Sequence, residues 1–471
     1  MDYDLIVVGA GSAGYVAAIR AARLGLKTAL IEERDVGGTC LNRGCIPTKV
    51  LLHSAGLYEE IKKSARFGIL AGGASFDFDA LKARKEDVVT QLVNGIESLI
   101  KANGIDLIRG RARIEGADGV IVGGEALSCK NIIVAAGSKP QKPPVITDAE
   151  YELDGVVTSD DLLGMDKPPA KRLAIAGASV IGMEFASIFN TFGSEVTILA
   201  SRDRILPMVD REIAQNLSMI LKKRGVKIIT NARLRGVEKM ESGGGLRCRY
   251  MDGETAVFVE CDSVLMATGR EANTAGLFAP GLESELQLEK GLIPVDENLM
   301  TKVQGIYAIG DCVKGAVQLA HFASAQGLFA AARIAGEEPH IDLSAVPSCI
   351  YTDPEIATCG LDSDQAKELG IPVKIGKFIM SANGKSLICD QDRGFIKLVF
   401  HAETGVILGA QLMCARATDL ISELVTAIVN RLTARQLVSV IRPHPTFTEA
   451  VTEAVEDYFG QAVHILPKRK Q

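Results

Sequence analysis

Leu5-Ile6-Val7-Val8-Gly9-Ala10-Gly11-Ser12-Ala13-Gly14 is the stretch from which the fold is read. Four apolar residues in a row mark a strand buried on both faces of a parallel sheet. Three glycines, Gly9, Gly11 and Gly14, follow at once, and a helix-period stretch runs on to Leu24. Gly25 ends that helix, and Thr28-Ala29-Leu30-Ile31 is the next strand. Glu32 closes it, 23 residues past Gly9. Strand, glycine turn, helix, strand and acid in this order make a dinucleotide fingerprint. The glycines allow a tight turn and close approach of backbone to pyrophosphate, the helix N-terminus attracts the anion, and Glu32 can bind ribose hydroxyls. The alternative is a glycine-rich turn with no ligand.

The pattern returns further along the chain. Arg172-Leu173-Ala174-Ile175-Ala176 is a strand, and Gly177-Ala178-Ser179-Val180-Ile181-Gly182 is a second fingerprint with Ser179 in place of the middle glycine. A helix over 183–192 ends at Gly193, and Glu195-Val196-Thr197-Ile198-Leu199 is the paired strand. The position matching Glu32 is Ala200, so the ribose acid is absent; Ser201, Arg202 and Arg204 come next. Two nucleotide sites in one chain imply an electron relay. The competing reading is a second site that has decayed.

Between these units stands Gly37-Gly38-Thr39-Cys40-Leu41-Asn42-Arg43-Gly44-Cys45-Ile46-Pro47-Thr48-Lys49. Pro47 suits the first turn of a helix, expected to run to about Lys63. Cys45 then lies near a helix N-terminus and within a turn of Lys49, both of which favour thiolate over thiol. A redox-active Cys40–Cys45 disulfide against a flavin is the expectation; two buried structural cysteines are the alternative.

The remaining chain supplies context. With 471 residues, 47% hydrophobic and 23% charged, it is expected to be a multi-domain soluble protein. A net charge of −6 without a basic cluster argues against nucleic acid. The uncharged run 315–332 contains His321, Ser324 and Gln326 and reads as a buried helix, so no membrane span is expected. The acidic start Met1-Asp2-Tyr3-Asp4 reads as lacking a secretory signal, and ten cysteines then point to a reducing, cytoplasmic setting. The other eight cysteines show no zinc spacing, so no metal is expected. Residues 54–102 read as helical. Strands are expected at 106–108, 120–122 and 131–138, and at 264–270, 305–311, 394–400 and 407–410. Proline-rich links stand at 139–144 and 166–169. Late helices are expected at 418–430 and 433–440. His444, between two prolines, could be a base oriented by Glu449. Pro467 to Gln471 reads as a solvated tail.

Taken together, these residues resemble the pyridine nucleotide–disulfide oxidoreductases of the glutathione reductase class, and among them the dihydrolipoyl dehydrogenase branch. The resemblance covers essentially the whole chain. It rests on the first fingerprint, the stretch from Gly38-Thr39-Cys40 to Lys49, and Ala267-Thr268-Gly269-Arg270. It rests further on Tyr307-Ala308-Ile309-Gly310-Asp311-Cys312, Leu319-Ala320-His321, Tyr351-Thr352-Asp353-Pro354-Glu355, and His444-Pro445-Thr446 with Glu449. Arg43 to His53 and Ala382-Asn383-Gly384-Lys385 look like the dihydrolipoyl branch.

The resemblance implies an α/β fold of two Rossmann-like domains and a C-terminal α+β dimerisation domain. Its segments would be FAD-binding 1–150, NAD(P)-binding 151–271, FAD-binding 272–345 and interface 346–471. It implies that Cys40 exchanges with substrate, that Cys45 lies beside the flavin, and that Lys49 pairs with Glu184. His444, held by Glu449 across a cis His444–Pro445 bond, would serve the partner subunit's disulfide. FAD would be held by Gly9, Gly11, Ser12, Gly14, Glu32, Gly38, Thr39, Lys49, Ala136, Gly137, Gly310 and Asp311, with Leu319, Ala320 and His321. NAD or NADP would be held by Gly177, Ser179, Gly182, Ser201, Arg202 and Gly269. The implied activity is reoxidation of protein-bound dihydrolipoamide through FAD to NAD(P)+. The implied partners are a second copy of the chain and a lipoylated carrier protein of a 2-oxoacid dehydrogenase or glycine cleavage complex. The competing enzyme is an NADPH-dependent reductase of another disulfide. A flavin-bearing scaffold is a third class, but it has no need of Cys40, Cys45, His444 and Glu449 together.

Overall fold

The computed structural model describes residues 1–167, 170–241 and 244–466. Pro168-Pro169 of the second expected link and the tail Pro467 to Gln471 lie outside the described residues. The chain divides into two compact units. One is Met1–Pro144, Val156–Pro168 and Leu265–Leu343; the other is Val145–Gly155, Pro169–Val264 and Ser344–Gln471.

The first unit is built on β1 (Tyr3–Val8), α1 (Ser12–Arg23), β2 (Thr28–Glu32), α2 (Gly38–Arg43), α3 (Cys45–Lys63), α4 (Phe78–Ala102), β3 (Asp106–Arg109), β4 (Ala112–Gly116), β5 (Gly119–Val122) and β6 (Glu125–Val134). The sheet order is β3-β2-β1-β6-β5-β4, and a strand at Ile306–Ala308 joins β6. β1 pairs in parallel with β2 and β6, Val8 facing Ile31 and Val134. Both faces of β1 are covered, which is why Leu5 to Val8 can be apolar without alternation. On one face α1 packs against a helix at Ala320–Ile334. Its buried Ala13, Ala17, Ala18 and Ala21 let the two backbones come close. At Gly327 an added Cβ would stand 2.6 Å from the Ala13 carbonyl oxygen.

α3 ends at Lys63, as expected, but the stretch 54–102 is not helical throughout: a 3₁₀ turn covers Ser64–Phe67, and α4 begins only at Phe78. The periodicity of 54–102 ran across the break, but Gly68 caps the turn at φ +76° and Gly73 sits at φ +114°. Asp77 then caps α4 by accepting the Ala80 N–H at 3.1 Å. The expected strand 131–138 likewise begins earlier, at Glu125, and ends at Val134.

The second unit carries two layers of its own. Parallel strands Arg172–Ala176, Glu195–Leu199 and Lys227–Ile229 stand side by side, with helices at Val180–Thr191 and Arg211–Lys223. An antiparallel sheet of Leu234–Lys239, Leu246–Asp252 and Thr255–Cys261 comes next. The C-terminal part is a five-stranded antiparallel sheet, order Ser348–Ile350, Glu355–Gly360, Ile407–Cys414, Phe395–His401 and Val373–Ile379. Helices Ala417–Val429 and Glu449–Phe459 cover it, burying Phe378, Phe400, Leu412, Leu424 and Val455 in one core. The α/β class with a C-terminal α+β part is as expected.

Candidate active site

The first fingerprint builds one wall of the site. Gly9 turns at φ +102°, and a Cβ on Gly14 would fall 1.8 Å from the Gly9 carbonyl oxygen. Only glycine fits there. Gly11 is the N-cap of α1 and offers no side-chain cap, so the first N–H groups of the helix are left for an anion. Glu32 ends β2 and bends back, accepting the Ala10 N–H at 2.6 Å and the Arg34 N–H at 2.8 Å.

The cysteine stretch docks directly on this turn. Gly37 donates its N–H to the Ala10 carbonyl at 2.8 Å, and Gly11 and Gly37 form an isolated parallel bridge. A Cβ on Gly38 would lie 2.7 Å from the Gly11 Cα, so glycine at 38 is what lets α2 abut the turn. Thr39 and Cys40 come in the first turn of α2. Gly44 joins α2 to α3, and a Cβ there would lie 2.8 Å from the Thr39 carbonyl oxygen. Cys45 is the first residue of α3.

The two cysteines meet. Cys40 takes a side-chain hydrogen bond from Cys45, so the two sulfurs stand together as a redox pair requires. That bond is the main reason why Cys40 has its pKa drawn down to about 7. Burial opposes the shift. The Ser12 hydroxyl, the Cys45 backbone N–H and the positive charge of Lys49 all support it. Cys45 opens α3, as expected, and its backbone N–H also reaches Cys40. Tyr15 also lies close, its phenol pushed up first by burial and then by the charge of Cys40.

A second wall comes from distant parts of the same unit. Asp311 Oδ2 accepts the Ser138 hydroxyl at 2.6 Å, and Arg270 Nε donates to Ser138 Oγ at 2.8 Å. Ala136 and Gly137 lead into Ser138 from β6. Gly310, at φ +76°, gives its N–H to the buried Gln326 at 2.7 Å. Leu319 caps the helix that starts at Ala320-His321. One turn on, Ser324 donates to the Ser12 carbonyl at 3.1 Å and ties that helix to the fingerprint. Gly269 lies in this unit, and its carbonyl accepts the Gln141 N–H at 3.0 Å. Ser138, Arg270, Gln326 and Tyr15 were not read as site residues.

In the second unit, Gly177 turns at φ +117°, and a Cβ on Gly182 would stand 2.3 Å from the Gly177 carbonyl oxygen. Ser179 caps its helix at φ −84° and ψ −177°, almost the geometry of Gly11 at −70° and −176°. The middle residue of the fingerprint therefore needs no positive φ, and serine replaces glycine without strain. Ser201 and Arg202 are exposed on the loop after Leu199. Glu184 is buried, and its Oε1 accepts the Tyr351 N–H at 3.0 Å. His444 is largely exposed, and its Nδ1 lies 2.7 Å from Glu449 Oε1; the other oxygen of Glu449 takes the Thr446 N–H at 2.8 Å. Burial works to raise the Glu449 pKa, but the Thr446 N–H and His444 outweigh it and hold the carboxyl below its usual range. The His444–Pro445 bond is cis. Among the described residues no cluster of three or more His, Cys, Asp or Glu could hold a metal, and no helix is long and apolar enough to cross a membrane.

Comparison with known proteins gives the same outline. Residues 3–327 match the model of the pyridine nucleotide-disulphide oxidoreductases, and residues 346–455 match the dimerisation domain of that family. A dihydrolipoyl dehydrogenase of Bacillus subtilis is 40% identical, over 98% of this chain and 99% of its own. One from Geobacillus stearothermophilus is 39% identical, over 99% and 98%. Among solved structures, LpdA from Mycobacterium tuberculosis gives a TM-score of 0.86 at 28% identity, over 96% of this chain and 99% of its own. The HOCl-induced flavoprotein disulfide reductase RclA of Escherichia coli gives 0.84 at 29%, over 97% and 99%.

Proposed function

The chain belongs to the pyridine nucleotide-disulphide oxidoreductases, and from that premise we propose that it acts as a dihydrolipoyl dehydrogenase. It oxidises the dihydrolipoamide arm of a carrier protein at a Cys40–Cys45 disulfide. One observation carries this reading above the others. Cys40, paired with Cys45, is hydrogen-bonded to Ser12 at the head of the first dinucleotide helix. A reactive thiol pair and a nucleotide turn share one set of contacts.

The residues fit FAD. Gly9, Gly11, Gly14 and Gly38 are packed so closely that side chains are excluded at three of the four, and α1 presents uncapped N–H groups. Gly11, Ser12 and Gly14 would hold the diphosphate and Glu32 a ribose. Thr39, Lys49, Ala136, Gly137, Gly310 and Asp311 would line the rest, with the helix start at Leu319-Ala320-His321. FAD, when bound, supplies two-electron transfer between the cysteine pair and a nicotinamide.

The chain's own residues handle the sulfur chemistry. Glu449 holds Nδ1 of His444, which leaves Nε2 as the basic nitrogen. His444 of the partner subunit would take the proton from a substrate thiol. The substrate thiolate attacks Cys40 Sγ, the Cys40–Cys45 bond breaks, and Cys45 leaves as thiolate. The second substrate thiolate attacks the substrate sulfur of the mixed disulfide. A cyclic lipoyl disulfide forms and Cys40 departs as thiolate, which its lowered pKa assists. Two electrons have then moved from the dithiol to the two cysteines. This reading includes a homodimer through the C-terminal domain, the four-segment division at 150, 271 and 345, a cytoplasmic setting, and service to a 2-oxoacid dehydrogenase or glycine cleavage complex.

Steady-state assays of the holoenzyme against dihydrolipoamide, glutathione disulfide and thioredoxin, with both nicotinamides, test the reading. Dihydrolipoamide turnover at least about a hundredfold above the other pairs is expected. Preferred reduction of another disulfide would transfer the chain to the competing branch.

A further inference from the structure

We infer that the nicotinamide site of this chain takes the 2′-phosphorylated cofactor, NADP(H), through Arg202 and Ser201. The inference rests on the proposed function only in assuming that the second fingerprint binds a nicotinamide dinucleotide.

The two fingerprints can be laid on each other by their hydrogen bonds. Gly9 donates to the Ile31 carbonyl at 2.8 Å, and Glu32 is the next residue. Gly177 donates to the Leu199 carbonyl at 3.0 Å, and Ala200 is the next residue. Ala200 therefore occupies the place of Glu32. In the first half the carboxylate at that place takes the Ala10 and Arg34 N–H groups. In the second half there is a methyl group, 1% exposed. A carboxylate there would bind the adenine ribose hydroxyls and repel a 2′-phosphate; the methyl does neither.

Beyond Ala200 the chain forms a cationic loop held firmly at its root. The Ala200 carbonyl accepts the Ala232 N–H at 2.8 Å and the Arg202 carbonyl accepts the Asn231 N–H at 2.9 Å. Leu206 then donates to the Ala178 carbonyl at 2.9 Å, which folds the loop back onto the glycine turn. Ser201, Arg202 and Asp203 are exposed on this loop, and among the described residues Arg202 makes no ion pair. Arg204 gives Nη2 to the Pro207 carbonyl at 2.8 Å, while its buried Nη1 has no hydrogen-bond partner. Two guanidiniums and one carboxylate thus follow the place where the first half has its acid, and Nη1 of Arg204 is unsatisfied. A 2′-phosphate supplies the acceptors that these donors lack. Its charge-assisted bonds to arginine are the strong kind.

The test is calorimetric binding to the FAD-loaded enzyme of two fragments that differ only by the 2′-phosphate, adenosine 2′,5′-bisphosphate and 5′-AMP. The bisphosphate is expected to bind at least about tenfold tighter. Arg202→Ala should erase most of that ratio, Arg202→Lys should keep part of it, and Ala200→Glu should invert it. Equal or tighter binding of 5′-AMP by the native protein overturns the inference, and so does an unchanged ratio in Arg202→Ala. No dithiol enters this measurement, so it can fail while dihydrolipoamide oxidation stands, and the reverse.

Discussion

His444 Nδ1 lies 2.7 Å from Glu449 Oε1, the two residues standing five positions apart with Glu449 at the start of the last helix. Glu449 opens the last helix and also takes the Thr446 N–H, so both its oxygens are engaged and the imidazole is oriented from one side only. Replacing His444 by Ala should lower dithiol oxidation by roughly 10²–10⁴, the weight of a positioned acid–base group. FAD content should not change. Glu449→Gln should cost less, because the imidazole remains. Mixing His444→Ala with Cys40→Ser protomers should restore activity in hybrid dimers. Hybrids shown to form yet inactive would contradict a site shared between subunits.

Cys40 should titrate near pH 7 in the reduced enzyme. Its lowered pKa means that thiolate dominates above that pH and is lost below it. Alkylation of Cys40 by iodoacetamide should therefore rise with pH to a plateau, with a midpoint of about 7. The bond from Cys45 is the largest cause, so Cys45→Ala should move the midpoint toward the ordinary thiol value of about 8.5. A midpoint that stays in place would show that Lys49 and the local backbone govern the shift instead.

Lys397 and Asp210 form a buried pair in the second unit, 2.9 Å apart, with side chains 10% and 4% exposed. Asp210 also caps the helix Arg211–Lys223. Burial works to lower the Lys397 pKa, but the bonds and charges of Asp210 and Glu212 outweigh it and raise it. Its contribution is therefore complete below the unfolded lysine value and lost only as pH climbs through the raised folded one. Lys397→Met should cost on the order of 3 kcal/mol by urea denaturation, since Asp210 is left buried without its cation. The loss should be the same at pH 7 and pH 9. The double variant with Asp210→Asn should recover part of it.

Gly327→Ala should destabilise the first unit. The new Cβ would meet the Ala13 carbonyl oxygen at 2.6 Å and the Ala17 nitrogen at 3.2 Å, forcing two helices apart. Overpacking of this kind costs about 1–3 kcal/mol, against which a gain of up to ~1 kcal/mol in helix propensity counts. A lower Tm with weaker FAD retention is expected. An unchanged Tm would mean that the contact is softer than the structure indicates.

Local signals were legible in the sequence, and long-range ones were not. Both fingerprints, the cysteine stretch and the His444–Glu449 pair lie within short spans, where spacing alone encodes geometry. The Ser138–Asp311 and Arg270–Ser138 bonds join residues 173 and 132 positions apart, and nothing in either neighbourhood announces the other. The end of α3 near Lys63 was legible, but the non-helical stretch before α4 was hidden because the apolar period resumes after it; Gly68 and Gly73 were the signal that could have shown it. The lowered pKa of Cys40 was not read from the sequence, because a helix N-terminus favours whichever sulfur its N–H groups meet, and the Cys45 N–H meets Cys40.

The central claim is that Cys40 and Cys45 cycle between disulfide and dithiol on contact with dihydrolipoamide. The most direct measurement is anaerobic alkylation followed by peptide mass spectrometry, before and after one equivalent of dihydrolipoamide per FAD. The account predicts that neither cysteine is labelled in the air-oxidised enzyme, and that both are labelled after reduction. Labelling of both in the oxidised enzyme, or of neither after dihydrolipoamide, would contradict it.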